Sequence, residues 1–328
     1  MSRCLIFIIA FLVIISSANA FPLNTSDTII QKSLAYLNNT QQSNGGFGDS
    51  ASANYSDLTP FAIMAIKAAN QDPHNWVKNG NSTIDFIKNI SVPALGNSSL
   101  PTYYGVVIMA LVAAGENPEN VSNRNLTNEL ISRKNADGSF NGSAWITDEE
   151  WGLLSLTSAG YKNSATVQNL TNYLISQQKS DGGFGAFCPD EFSSCPDETA
   201  LGIMGLISAG YTPDSTVIKN ATARLKQFQI SNGGIDLGWG ANVDSDSWAI
   251  QAIVSLGNNF TDWAKSNFTV STSSDSYTAN ILTNFSLNVN VANYGNNYPF
   301  DNLVKLQNNV TGAFEYFKPI QDTSYAIA

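Results

Sequence analysis

The chain is short of basic residues, of histidine and of cysteine. Its 328 residues carry 16 Lys and Arg against 26 Asp and Glu, a single His and three Cys, for a formal net charge of −10. That deficit excludes nucleic acid as a partner, because phosphate contacts need clustered Lys and Arg. It also excludes a polybasic membrane patch. The one histidine, His74, is far in sequence from Cys188 and Cys195, so the two thiols lack partner ligands and no zinc site is expected. After the first twenty residues no hydrophobic stretch approaches spanning length, and no integral membrane segment is expected in the mature chain.

Residues 1–20 read as a signal peptide. Arg3 opens a short basic start, Leu5–Ile15 is almost wholly apolar, and Ala18-Asn19-Ala20 supplies a small-residue cleavage site. Removing Arg3 with the leader takes the net charge to −11, and the mature protein is expected to be secreted or held at the cell surface. Cys188 and Cys195 lie in one loop beside Pro189 and Pro196, and in an oxidising compartment they are expected to form a local disulfide. Fifteen Asn-X-Ser/Thr sequons from Asn24 to Asn309 fit a glycosylated surface.

Self-similarity organises the remaining residues, 21–328, as a single repeat domain. One half of the repeat is a helix ending in Gln, then a polar turn, Gly and an aromatic. Tyr36-Leu37, Gln41, Gly45 and Phe47 form one copy, and Tyr173-Leu174, Gln178, Gly182 and Phe184 repeat its spacing. Looser copies run through Lys134, Gly138 and Phe140, through Gln229, Gly233 and Ile235, and through Gln307, Gly312 and Phe314. The other half is an apolar helix expected to start at a capping residue: Asp57, Thr102, Thr147, Asp197 and Asp244, at intervals of 45, 45, 50 and 47 residues. Thr147 and Glu150 have capping-box spacing. These helices are apolar nearly all round and should be buried on every side, whereas Asp27–Gln41 and Val217–Gln229 are amphipathic and should lie outside. The pattern predicts an all-α ring or stack of helical hairpins. A Ser, Thr and Asn-rich insertion is expected about 266–297, and a last inner helix starting near Asp322 stops almost as it begins.

The segment Lys32, Tyr36-Leu37, Gln41, Gly45-Gly46-Phe47 resembles the QW repeat of squalene and other terpenoid cyclases, with Phe in place of Trp. Asp197-Glu198-Thr199-Ala200 resembles the inner-helix starts of protein prenyltransferase β subunits. The resemblance covers most of the mature chain and implies an α6/α6 toroid around a central cavity. The same toroid occurs in cobalamin carriers and in thioester domains, so activity has to be argued from the site. Zinc prenyltransferases use Asp, Cys and His, and no His follows Cys195. Prenyl diphosphate also needs basic groups that the inner-helix starts lack. Class II cyclases protonate an alkene with an Asp-x-Asp-Asp aspartic acid. The nearest match, Asp244-Ser245-Asp246-Ser247, has Ser247 where the motif wants Asp, which makes Asp244 and Asp246 the candidate catalytic residues. The competing reading is Asp244 as an N-cap with Asp246 favoured by the helix dipole. The thioester segment and the carriers' β domain are absent from the sequence.

All inner-helix N-termini should point to one mouth. The segments leading there hold half of the acidic residues, including Asp49, Asp148, Glu149, Glu150, Asp190, Glu191, Asp197, Glu198 and Asp236. Such a mouth would attract cations, calcium included, and repel phosphates. One aligned position shortly after the caps holds Phe61, Val106, Trp151, Leu201, Trp248 and Tyr325. With Trp145 and Trp239 in the loops and Tyr103 and Tyr104 within a turn, these aromatics suit stacking on a sugar, clasping an isoprenoid or holding a cation. The expected ligand contacts are Trp145, Trp151, Trp239, Trp248, Tyr103, Tyr104, Asp148, Glu149, Asp190 and Asp236. The leading expectation is a binding module for a glycan, lipid or protein, with no cofactor. A divergent cyclase-like or carboxylate-dependent carbohydrate-active enzyme is the alternative, and a structural ring of a larger surface protein is the third.

Overall fold

The computed structural model describes residues 25–48, 58–142, 145–185, 193–238, 240–257, 263, 268–271, 276–279, 303, 306–308, 310–311 and 313–314. The leader, Asp49, Asp57, Cys188, Asp190, Glu191, Trp239, Asp322 and Tyr325 lie outside them. Within the described residues, helices alternate between two layers of an all-α toroid. The outer layer comprises α1 (Thr28–Thr40), α3 (Thr83–Phe86, continued by a π-helical turn at Ile87–Ser91), α5 (Leu126–Ile131), α7 (Ala165–Ser176) and α9 (Thr216–Gln227). The inner layer comprises α2 (Leu58–Ala68), α4 (Pro101–Ala114), α6 (Thr147–Ser158), α8 (Pro196–Ala209) and α10 (Val243–Ser255).

Each inner helix packs against the next inner helix in sequence, and each of α5, α7 and α9 lies against the inner layer. Burial follows the amphipathicity. In α1 only Ser33, Leu34 and Leu37 are buried, whereas α2 buries Leu58 through Ile63 together with Ala65 and Ile66. The inner helices stop at left-handed residues, with Gly115 at φ 81° and Gly210 at φ 108° in the C-cap position. Close approach also requires small residues inside the helices. A Cβ on Gly152 would fall 2.2 Å from the Phe140 ring, and one on Gly202 would fall 2.6 Å from the Phe184 ring. The aromatic after each turn therefore seats directly on an inner helix, joining loop and core.

The repeated Gln is a latch between neighbouring repeats. Gln41 Nε2 donates to Gly45 O at 3.0 Å within its own turn and to Trp76 O at 2.8 Å in the segment leading to α3. Gln178 does the same with Gly182 O and Val217 O, both at 2.8 Å. Gln229 repeats it with Gly233 O at 3.0 Å and Trp263 O at 2.8 Å. Gln307 donates to Ile29 O at 3.0 Å and to Ser33 Oγ at 2.8 Å, both on α1. Val243, Leu303 and Phe314 form a small core there, with Ile29 and Leu306 against it. The last described repeat thus meets the first, although the final inner helix expected near Asp322 lies outside the described residues.

Two hairpins complete the architecture. β1 (Val77–Lys78) and β2 (Asn81–Ser82) pair antiparallel through Asn79-Gly80, both at positive φ as a tight two-residue turn requires. β3 (Phe268–Ser271) and β4 (Ser276–Ala279) pair antiparallel inside the expected insertion. No helix among the described residues is long and apolar enough to cross a membrane.

Candidate functional site

For α4, α6, α8 and α10 the N-cap lies one or two residues before the expected cap. The N-cap residues are Leu100, Ile146, Cys195 and Asn242 for α4, α6, α8 and α10. Of these only Asn242 makes a side-chain cap bond, accepting from Ser245 N at 3.0 Å. Thr102, Thr147, Asp197 and Asp244 therefore sit inside the first turn, and the Thr147–Glu150 capping box does not form. Proline explains part of the offset: Pro101 and Pro196 occupy the first helical position, where a missing N–H is harmless. The prediction for stability moves with the cap. Asn242→Ala should lower the unfolding free energy by about 1 kcal/mol, and Asp244→Ala should lower it by clearly less. Urea unfolding of the two variants checks this, and equal losses would refute the assignment of the cap.

A second repeat-wide bond sets the helix starts. Thr59 Oγ1, Glu149 Oε1, Thr199 Oγ1 and Asp246 Oδ1 accept the backbone N–H of Phe47, Phe140, Phe184 and Ile235 at 2.9, 3.0, 3.0 and 2.7 Å. Glu149 and Asp246 are thus structural counterparts of two threonines, each tying the post-glycine residue to its inner helix. Asp148 accepts from both the N and the Oγ1 of Thr102, at 2.9 and 2.7 Å, and links α6 to α4 from a buried position. These three carboxyls, read from the sequence as mouth or catalytic groups, are engaged inside the helix framework.

Residues shortly inside the helix starts enclose a cavity of about 250 Å³ lined by Phe61, Thr102, Tyr103, Val106, Thr147, Trp151, Asp197, Glu198, Leu201 and Trp248. The aligned position singled out in the sequence, Phe61, Val106, Trp151, Leu201 and Trp248, supplies one wall residue from each of five inner helices. Three of its rings meet nearly at right angles. Phe61 and Trp151 have centroids 5.7 Å apart at 68°, and Trp151 and Trp248 are 5.6 Å apart at 79°. Asp244 and Asp246 are not among the wall residues of this cavity. Tyr104 is turned into the outer layer, where its hydroxyl bonds Glu129 at 3.2 Å and Arg133 lies 4.5 Å from its ring centre. Trp145 is 51% exposed on the loop before α6. Asp236 accepts from Gly238 N and Gly240 N at 2.6 and 2.8 Å and shapes its own loop. Trp239, Asp190 and Cys188 lie outside the described residues, while Cys195 is buried at the start of α8.

Asp197 and Glu198 of α8 line this cavity, Glu149 and Glu150 of α6 lie near them outside its wall, and only other carboxyls act on the charge of Glu150 and Glu198. Glu150 is fully buried, and neither of its carboxyl oxygens has a hydrogen-bond partner. Burial first, then the neighbouring Glu198, Glu149 and Asp197, push its pKa well above the ordinary 4.5. Glu198 is raised to about 7 by burial and by Asp197. Asp197 is raised by burial against an opposing hydrogen bond from Ser245, and its Oδ1 has no partner. Glu149 is raised to about 7 by burial, with the Phe140 N–H opposing and Asp148 and Asp137 reinforcing. No group of three His, Cys, Asp or Glu among the described residues could hold a metal ion.

In the sequence Glu150 reads as a capping partner and a rim charge, Asp197 as a cap and a rim charge, and Glu198 as a rim charge, with Asp197-Glu198 also carrying the prenyltransferase resemblance. Helical phase was the available signal: residues three and four before the wall position share its face. That phase picks out Thr102, Tyr103, Thr147, Asp197 and Glu198, which line the cavity, along with Asp148, Asp244 and Ser245, which do not; it leaves Tyr104 on another face and does not reach Glu150.

With this geometry in place, comparison with known proteins fits the fold. The family model described as the prenyltransferase alpha-alpha toroid domain matches residues 4–238, and the chain belongs to that family. Among solved structures it is similar to the apo form of the type II terpene cyclase MstE from Scytonema, at a TM-score of 0.57 and 12% identity, covering 91% of this chain and 95% of that one. It also matches ent-copalyl diphosphate synthase from Streptomyces platensis at a TM-score of 0.38 and 13% identity, over 70% of this chain and 51% of that one. No curated protein matches it.

Proposed function

We propose that the protein is an exported, glycosylated toroid that binds a ligand in the cavity between Phe61, Trp151, Trp248, Asp197 and Glu198, without chemistry of its own. The observation that carries this reading is the bond from Ile235 N to Asp246 Oδ1 at 2.7 Å. It gives the counterpart of the cyclase acid the same framework task that Thr59 and Thr199 perform. The acids that do reach the cavity are also poorly suited to protonating an alkene. A carboxyl raised to about 7 is a weaker proton donor than an ordinary one, and alkenes demand a strong acid. The leader at 1–20, the sequons and a Cys188–Cys195 bridge belong to the same reading of an extracellular module.

One observation favours an enzyme instead: Glu198 and Glu149, both held at about 7, have the pKa of a general acid or base working near neutrality. Native mass spectrometry of the chain from Phe21 to Ala328, purified without detergent from an exporting host, separates the readings. A co-purified mass of small-molecule, lipid or glycan size supports binding. Release of product from an isoprenoid or an oligosaccharide, abolished in Glu198→Gln, overturns it in favour of catalysis.

A further inference from the structure

We propose that the ligand of this cavity is an organic cation, an alkylammonium group held against the ring wall by Asp197 and Glu198 of α8, with the buried Glu150 of α6 adding to their field. The inference rests on the binding reading and adds the chemical class of the ligand. Its first support is charge. Every charged group acting on Glu150 is another carboxyl, namely Glu198, Glu149 and Asp197, and only Asp197 acts on Glu198. The groups around the cluster are Asp148 and Glu149 from α6, Asp197 and Glu198 from α8, Asp244 and Asp246 from α10, and Tyr103 from α4. None is basic. Asp197 brings a buried, unpartnered Oδ1 to the cavity wall, a costly arrangement in an apolar setting that a bound cation would relieve.

The second support is shape. Coplanar rings would make a slot for a flat ligand. Phe61, Trp151 and Trp248 instead pack edge to face on one another at 68° and 79°, so the wall offers ring faces at steep angles rather than one flat slot. An ammonium is attracted to such faces, most strongly where water is excluded. A bare metal ion is less suitable, since the cluster has no arrangement of three ligating side chains that could hold one. Thr102, Tyr103 and Thr147 in the same wall offer oxygens to the polar remainder of such a ligand.

Binding is coupled to proton release. Glu198, raised to about 7, keeps its proton below that pH, and a cation favours the carboxylate, so the proton passes to the buffer as the ligand enters. Affinity should therefore rise with pH, by at most about tenfold per unit for each proton released.

Isothermal titration of the intact chain with choline and with its neutral isostere 3,3-dimethylbutan-1-ol, at about pH 6 and about pH 8, tests the proposal. We expect choline to bind at least about tenfold more tightly than the isostere, to bind more tightly at the higher pH, and to release protons in buffers of different ionisation enthalpy. Glu198→Gln should weaken choline binding and flatten its pH dependence, with an unchanged circular dichroism spectrum showing that the variant folds. Equal binding of choline and isostere would overturn the cation and leave a neutral binding cavity. Binding of neither, with a co-purified neutral mass in the native spectrum, would overturn the cation alone. Binding of neither with an empty native spectrum would overturn both the cation and the binding reading.

Discussion

Raising the pH from about 5 to about 8 is expected to destabilise this protein, the reverse of what its many surface carboxylates would suggest. Glu149 and Glu198 titrate near 4.5 in an unfolded chain and at about 7 in the folded one. Between those values the folded state keeps a proton that the unfolded state has lost. Stability is therefore fully present below about 4.5 and is lost as the pH passes through 7. At about 1.4 kcal/mol per pH unit, each group accounts for about 3 kcal/mol. Glu150, also raised by burial and by Glu198, acts in the same sense. The losses do not simply add, because the carboxyls act on one another. Carboxyls such as Glu129, lowered by Arg124, and Asp85, lowered by the Ser82 amide, act in the opposite sense and lose their stabilisation only as the pH falls below about 4. Thermal melts across this range should peak on the acid side of neutrality and fall by about 5 °C or more towards pH 8. Glu198→Gln should flatten the decline. A melting temperature that stays level or rises to pH 8 would contradict the burial of these groups.

Asp246→Thr should be tolerated, and Asp246→Ala should not. Removing the side chain strands the buried Ile235 N–H, at a loss of about 1–3 kcal/mol. Threonine already performs the same task at Thr59 and Thr199, where one hydroxyl accepts the amide of Phe47 or Phe184 and donates to the carbonyl of the same residue at 3.3 or 3.2 Å. In urea unfolding, Asp246→Thr should therefore recover most of what Asp246→Ala loses, and ligand capture should survive in the threonine variant. A catalytic acid predicts the opposite pattern, since threonine cannot protonate a substrate. Full folding of Asp246→Thr with complete loss of function would restore Asp246 as the working acid.

The architecture was readable because its determinants are periodic. Gln41, Gly45 and Phe47 recur as Gln178, Gly182 and Phe184, and the apolar inner helices end at Gly115 and Gly210. The same periodicity located the cavity wall through Phe61, Trp151 and Trp248. The helix starts were harder to read because Asp is favoured both at the N-cap and inside the first turn. Asp197 and Asp244 therefore looked like caps while occupying the turn behind them. That shift of register changed the meaning of Glu150, whose capping partner Thr147 is already helical. Tyr103 and Tyr104 are adjacent in sequence yet face different layers, a distinction that composition cannot make and helical phase can. Burial separates Asp148 and Glu149 from a solvent-facing rim, and it depends on a bond to Thr102 in the preceding repeat and one to Phe140 in the turn before α6.

The bonds from Gln307 to Ile29 and Ser33 carry a consequence for how the domain comes apart. An open array of repeats frays from whichever terminal unit is least stable, because each unit leans only on its neighbours. Here the junction spans 278 residues of sequence. Closure entropy grows only logarithmically with that length, so the span disfavours closure by only about 2 kcal/mol more than closing one repeat would. Once the junction is made, neither the first nor the last described repeat is an end unit with a single neighbour. Loss of order has to begin by breaking the circle, and the junction at α1 is where a pulling force or a protease would find its first opening.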